Sequence, residues 1–301
     1  MSQRPILVFG ASGRHGGTGY AVAKGLLEQG YPVRLISRQK TPDFGDLIER
    51  GAEQAQADLR DRPSLLPALK DVETAFFVYP INGGIVEAAA NFASAGRDSG
   101  LKRVVVMSMG PAHPFGPSHL GRAQWLAEEI FRWAGFSCIN LRIMAFFYEN
   151  LALQHATEIR EESRMENSFA DLPLPWISAS DAGRIALHAI THPDRFDGQT
   201  DFYPIGGEFI THTQIADLFS KKLGRAIQFR TISQAEWQAR LEQRVGTDPR
   251  INPDMAKHIS TMGASLTEVP PVTMLVPFQA LTHESPMPLA QWVEQNIKLF
   301  Q

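Results

Sequence analysis

Cysteine is nearly absent from this 301-residue chain. Cys138 stands alone, so no disulfide can close within the chain, which fits a reducing compartment. Long hydrophobic runs are missing as well. No apolar stretch approaches the roughly 18–20 residues that a membrane-spanning helix needs. The first such stretch, Ile6-Leu7-Val8-Phe9, breaks at Gly10, too early for the core of a signal peptide. Charge of one sign is not in excess either. The chain has 29 Lys+Arg and 32 Asp+Glu, a net charge of −3, which argues against direct nucleic-acid binding. Lysine is scarce, and none falls between residues 103 and 220. What remains is an ordinary globular composition, 44% hydrophobic, long enough for about two domains of ~150 residues each. The expectation is a cytoplasmic protein with no membrane partner.

The first half alternates between two periods. Short β-rich runs at residues 6–9, 33–36, 74–79, 103–107 and 137–141, with a weaker one at 53–57, are separated by helical spacing at 18–29, 63–69, 85–99 and 123–134. Strands joined by helix-length segments form βαβ crossovers, hence an α/β fold with a doubly wound parallel sheet. Past residue 150 prolines punctuate the chain. Helices are expected at 180–190, at 213–223 behind a Thr211/Gln214 capping box, and at 289–299. Residues 267–288 hold five prolines and read as a loop excursion. The predicted division is 1–152 for a nucleotide-binding domain and 153–301 for a smaller, mostly helical domain on the substrate side. The 177–190 segment is expected to pack back on the first.

The sharpest local signal is Gly10-Ala11-Ser12-Gly13-Arg14-His15-Gly16-Gly17, directly after the first strand and before the first helix. Glycines let the backbone turn tightly and approach a pyrophosphate, whose charge then rests on N–H groups at a helix N-terminus. Strand, turn and helix in that order make this a Rossmann-type dinucleotide signature. NAD specificity calls for an acid near the end of the second strand to hold the ribose 2′-hydroxyl. This chain has Ser37-Arg38-Gln39-Lys40 there. Arg38 and Lys40, joined by Arg14, suit a 2′-phosphate, so NADP is the expected cofactor, with NADPH preferred over NADH.

The chain resembles the NmrA-like family, atypical extended-type members of the short-chain dehydrogenase/reductase superfamily. The resemblance rests on Gly10 to Gly17, on Val33-Arg34-Leu35-Ile36-Ser37-Arg38, and on Gly51-Ala52-Glu53 leading to Ala57-Asp58-Leu59. It continues in Glu128-Glu129 before Gly135, Glu149-Asn150-Leu151, Asp181-Ala182-Gly183-Arg184 and Leu289-Ala290-Gln291-Trp292-Val293. It implies that Gly10, Ser12, Gly13, Arg14, His15 and Gly16 cradle the dinucleotide and that Asp58 and Leu59 lie near its adenine. It further implies that Val78, Tyr79 and Pro80 line the groove, that Ser108 lies near the nicotinamide ribose, and that residues 146–150 wall the pocket. Family members include NAD(P)H-dependent reductases of quinones and related compounds. Others bind the dinucleotide without turnover and regulate a protein partner. Both readings stay open at this point, and so does a homodimer.

Superfamily reductases use Tyr-x-x-x-Lys, the lysine lowering the tyrosine pKa. The literal match, Tyr20 to Lys24, falls on the first helix and reads as an i, i+4 pair on one face rather than an active pair. Between Ser118 and Glu129 there is neither tyrosine nor lysine. Where the family commonly places Lys or His, this chain has Gln124. Gln124, His119 and Tyr148 are the remaining catalytic candidates, and Met109, Met144, Phe146, Phe147 and Asn150 are candidates for a pocket that takes a small apolar or conjugated acceptor. His113 and His119 match no zinc ligand set, so no metal is expected. Cys138 reads as a buried small residue.

Overall fold

The computed structural model describes residues 4–12, 17–265 and 274–301. Its first elements are β1 (Ile6–Val8), α1 (Thr18–Glu28), β2 (Val33–Ser37), α2 (Gly45–Glu49), β3 (Glu53–Gln56), α3 (Arg62–Ala68), β4 (Thr74–Phe77), α4 (Ile85–Ser99), β5 (Arg103–Met109), α5 (His119–Trp133) and β6 (Ser137–Ile143). There follow β7 (Phe146–Phe147), α6 (Glu149–Glu162), β8 (Arg164–Asn167), β9 (Leu174–Ile177), α7 (Ala179–Thr191) and β10 (Asp201–Ile205). The last are β11 (Glu208–Ile210), α8 (His212–Leu223), β12 (Gln228–Thr231), α9 (Gln234–Gln243), α10 (Pro253–Ser265), β13 (Leu275–Pro277), α11 (Phe278–Thr282) and α12 (Leu289–Asn296).

Two compact units result. The first comprises residues 1–116, 120–143 and 182–203, the second 117–119, 144–181 and 204–301. In the first, the large parallel sheet runs β10-β6-β5-β4-β1-β2-β3. Its central strands are buried on both faces, Leu7, Val8, Phe76 and Val104 to Val106 having no exposure, as a doubly covered parallel sheet requires. On one face Phe9, Phe77, Phe92 and Phe131 interlock, their ring centroids 4.9–6.0 Å apart. On the other, α1 and α7 meet through glycines. A Cβ on Gly183 would lie 2.6 Å from that of Ala21, and one on Gly25 2.4 Å from Leu187 Cδ2. This is the expected Rossmann-type α/β architecture.

The second unit holds a three-stranded sheet, β11-β9-β7, and a parallel pair, β12-β8. Six helices, α6 and α8 to α12, belong to it. The expected capping box on α8 is present in both directions, Thr211 with Gln214. Several expectations need correction. Residues 78–79 lie beyond β4, and α5 starts a turn earlier than its apolar spacing suggests. The 267–288 segment is no plain loop. Residues 267–273 lie outside the described ones, but from Leu275 the chain forms β13 and α11. Helix α6 was not anticipated, because its buried face, Leu151, Gln154, His155 and Ile159, is half polar and hides the helical period.

Candidate functional site

In a parallel sheet the carboxyl ends of the strands share one edge. Ligands of open α/β sheets bind there, outside the point where strand order reverses. Here that point is β1, between β2 and β4. Along the edge from β3 to β5 stand Asp58 and Leu59, then Ser37 to Lys40, then Gly10 to Ser12, then Val78 to Pro80, then Ser108 and Met109. The parallel topology thus aligns residues from five separate stretches of sequence.

The turn after β1 is shaped by its glycines. Gly10 has φ +71°, a left-handed conformation, and a Cβ there would meet Val78 Cγ1 at 2.5 Å. Gly10 and Val78 are therefore in contact, fixed from below by Phe9 and Phe77 in the aromatic core. One glycine escaped the sequence reading. A Cβ on Gly19 would stand 2.3 Å from Phe9 O and 2.6 Å from the Gly10 carbonyl carbon, so α1 can approach the turn only without a side chain there. Its signal was present: Gly10, Gly13, Gly16 and Gly19 recur every third residue. Gly13, Arg14, His15 and Gly16 lie outside the described residues, and Ser12 is half-buried beside them.

Beyond β2, Arg38 and Lys40 are exposed. Asp58 and Leu59 are half-buried and held by their backbones. Asp58 N–H donates to Ser64 Oγ at 2.9 Å, and Leu59 O accepts from Asn91 Nδ2 at 3.0 Å. Tyr79 donates to Gly83 O at 3.3 Å, and Val78 and Pro80 are half-buried.

Behind β5 lies a buried ion cluster. The Glu128 carboxylate, fully buried, accepts from Ser108 Oγ at 2.5 Å, from Arg142 Nε at 3.1 Å and from Arg142 Nη2 at 2.5 Å. Arg142 also reaches Asp201 at 3.1 Å and donates to Tyr203 Oη at 2.7 Å. Asp201 in turn accepts from Arg132 at 2.6 Å and from Asn140 at 2.8 Å. Burial raises the Glu128 pKa, and Arg142 opposes that rise. The Ser108 hydroxyl is thus engaged inward, pinning the end of β5 to α5.

One turn before Glu128, on the same buried face of α5, sits Gln124, 3% exposed. Its Nε2 meets no acceptor among the described residues. An unpaired buried donor costs about 1–3 kcal/mol, and this one sits on the helix that follows the carboxyl end of β5. The other two catalytic candidates are engaged in the second unit. Tyr148 is fully buried, with Oη 3.1 Å from both Glu208 Oε2 and Met287 O. Burial and Glu208 push its pKa up. His119 opens α5, with Nε2 3.3 Å from Asp254 Oδ1. Tyr20 and Lys24 both lie on α1 four residues apart, each with its own partner. Tyr20 donates to Asp46 at 2.5 Å, and Lys24 lies 3.8 Å from Glu28.

Met109 ends β5 in the first unit. In the second, Met144, Phe146, Phe147 and Asn150 are each half-buried. Phe146 packs at 4.9 Å on Phe169 and 5.4 Å on Trp176, whose ring lies 5.5 Å from His212. Burial drives the His212 pKa down to about 3, so this aromatic wall is uncharged. Tyr148 adjoins a second set of contacts built from the remaining shared motifs. Glu149 accepts from Ala179 N–H at 3.0 Å and Trp292 Nε1 at 3.2 Å. Asp181 accepts from Met287 N–H at 2.8 Å and Glu208 from Leu289 N–H at 2.7 Å. Burial raises Glu149 to about 7.

The NmrA-like family model matches residues 2–265. The chain belongs to the NmrA-like family. Among the relatives of this NmrA-like chain is the uncharacterized oxidoreductase YesF of Bacillus subtilis, 28% identical over 245 residues, which cover 80% of this chain and 79% of YesF. Another is the NAD(P)H azoreductase of Xenophilus azovorans, 28% identical over 231 residues, 76% of this chain and 77% of that protein. The NADPH-dependent quinone oxidoreductase QOR2 of Escherichia coli, crystallised with NADPH, shares the fold. It has a TM-score of 0.78 and 22% identity, and the match covers 97% of this chain and 99% of that one. Among the described residues of the NmrA-like chain no His/Cys/Asp/Glu group could hold a metal ion, and no helix is long and apolar enough to cross a membrane.

Proposed function

We propose that this chain is an NADP(H)-dependent oxidoreductase that reduces a small conjugated acceptor such as a quinone or an azo compound. The observation that carries the reading is the turn after β1. Gly10 and Gly19 let the turn close on Val78 and α1 close on the turn, where a Cβ would collide, and the tip of β2 offers Arg38 and Lys40 where an NAD-specific site has an acid. Gly10 and Ser12 hold the pyrophosphate, Arg38 and Lys40 the 2′-phosphate, Asp58 and Leu59 the adenosine, and Val78 to Pro80 the groove floor. The azoreductase and quinone oxidoreductase relatives support the reaction class.

When bound, the cofactor supplies hydride, and the protein has only to orient the acceptor and keep water from the reacting carbon. That suits a site without a Tyr–Lys pair. Gln124 Nε2 donates a neutral hydrogen bond to the bound ligand, satisfying an atom that has no acceptor among the described residues. Met109, beside Ser108 at the end of β5, supplies an apolar wall, and a reduced quinone oxygen takes its proton from solvent. Ser108 acts indirectly, through Glu128, by fixing the end of β5.

Calorimetric titration should give NADPH at least a tenfold advantage over NADH, about 1.4 kcal/mol. Equal affinities would remove the role of Arg38 and Lys40. A panel of quinones and azo dyes should oxidise NADPH with turnover. If none does, while NADPH and NADP⁺ bind with clearly different affinity, the chain is a redox sensor for a protein partner instead.

A further inference from the structure

The opposite edge of the sheet carries a second cleft, remote in the fold from the carboxyl ends. It has a volume of about 380 Å³ and opens at the amino-terminal ends of β5 and β6 and the start of β10. Arg103 and Ser137, the paired first residues of β5 and β6, form one side of it. Arg132 and the 197–200 turn form the rest of its polar lining. Every element that contributes belongs to the first unit.

The two guanidiniums differ in kind. Arg132 is saturated, paired with Glu129 and with Asp201 at 2.6 Å. Arg103 is half-buried, and no ion pair joins it to a described residue. Its Nε is shut off from solvent and meets no acceptor among the described residues. Glu73, whose backbone carbonyl accepts from Arg103 N–H at 3.0 Å, has its carboxylate already taken, by Lys102 at 2.5 Å and by Arg4. A buried donor left without an acceptor among the described residues is costly. The planar fork of Arg103 matches one oxyanion group. Asp197, exposed at the rim, repels a second negative charge on the same ligand, and the volume lies at the small end for ligand pockets.

We infer that this cleft is a binding site for a small ligand presenting a single oxyanion group, carboxylate or phosphate, anchored on Arg103. It is independent of the dinucleotide edge and of the reaction proposed there. Cys138 lines the cleft but takes no chemical part, since burial pushes its thiol up to about 12 and keeps it protonated.

The test titrates the full chain with sodium phosphate and with sodium acetate, each against chloride at equal ionic strength, and follows the unfolding midpoint. One of the two oxyanions raises the midpoint saturably, and which one does so identifies the head group. Arg103→Gln raises the half-saturation concentration at least tenfold. Because the Arg103 side chain has no hydrogen-bond or ion-pair partner among the described residues, that variant keeps the ligand-free midpoint within about 2 °C of the parent. Ser137→Glu, at the exposed mouth, leaves Arg103 in place and puts a tethered carboxylate in the cleft, and it abolishes the saturable response. A response that never saturates for either oxyanion, or one unchanged in both variants, overturns the assignment.

Discussion

Replacing Arg142 with methionine tests the buried cluster that ties β5 to α5. The Arg142 side chain is 5% exposed, and its guanidinium spans both Glu128 oxygens, Asp201 and the Tyr203 hydroxyl. Methionine keeps most of the aliphatic stem and removes the charge. Glu128 is then left with Ser108 and with Arg132 at 3.9 Å, while Asp201 keeps Arg132 and Asn140. Removing one partner of a buried pair costs about 3–5 kcal/mol. The sign of the pH dependence follows from Glu128. Burial already raises its pKa in the parent, against the pull of Arg142, and without Arg142 the folded-state pKa climbs further above the unfolded value. Such a group contributes fully below its unfolded pKa and loses that contribution as pH rises through the folded one. The deficit is therefore smaller at about pH 5 than at about pH 8. Urea unfolding at both pH values measures it. Glu128→Leu added to Arg142→Met removes the stranded charge and restores at least half of the loss. A deficit under about 1 kcal/mol, or one equal at both pH values, would refute the reasoning.

Three further outcomes follow from single sites. Gly19→Ala forces a methyl against backbone at 2.3 Å, so it lowers stability by about 1–3 kcal/mol and weakens NADPH at least tenfold; unchanged calorimetric affinity would mean that the α1 approach does not shape the cradle. Glu149 is raised by burial from its ordinary 4.5 to about 7, so its contribution is full below pH 4.5 and is lost as pH rises through 7, about 3 kcal/mol at full ionisation. Glu149→Gln flattens that slope in denaturant midpoints taken across the window, at a pH-independent cost of about 1 kcal/mol for the lost acceptor. Gln124→Leu removes an unpaired buried donor, so stability holds or rises by up to about 1 kcal/mol while kcat/KM for the acceptor falls at least tenfold. A loss of stability in that variant would reveal an internal partner.

Local rules made the first unit legible. Its strands are short β-branched runs such as Val104 to Val106, and its turns end on residues whose conformation needs glycine, so both periods show in the sequence. The second unit is harder for a physical reason. Its elements bury polar side chains that pair over long separations, such as His155 against Asn167 at 3.3 Å or Glu166 against Arg230 at 2.5 Å. A buried polar residue looks like a surface residue until its partner is known. Helix α9 is the exception that was missed, since Ser233 and Glu236 form a local capping box that the sequence displays as plainly as the one on α8.

The same limit governs the candidate site. Gly10 could be chosen from sequence because its reason is local. Gln124 read there as a loss, an amide in place of a charged group, because its environment comes from β5 and from Glu128 one turn along. The Ser108–Glu128–Arg142 chain sets the position of α5 against the sheet, and that position buries Gln124 Nε2 with no acceptor among the described residues. A side chain spared only for packing would more cheaply be leucine. A buried amide nitrogen without an acceptor among the described residues makes sense once a ligand supplies one. On the function proposed above, Gln124 is the place on α5 where the protein ends and the bound molecule begins.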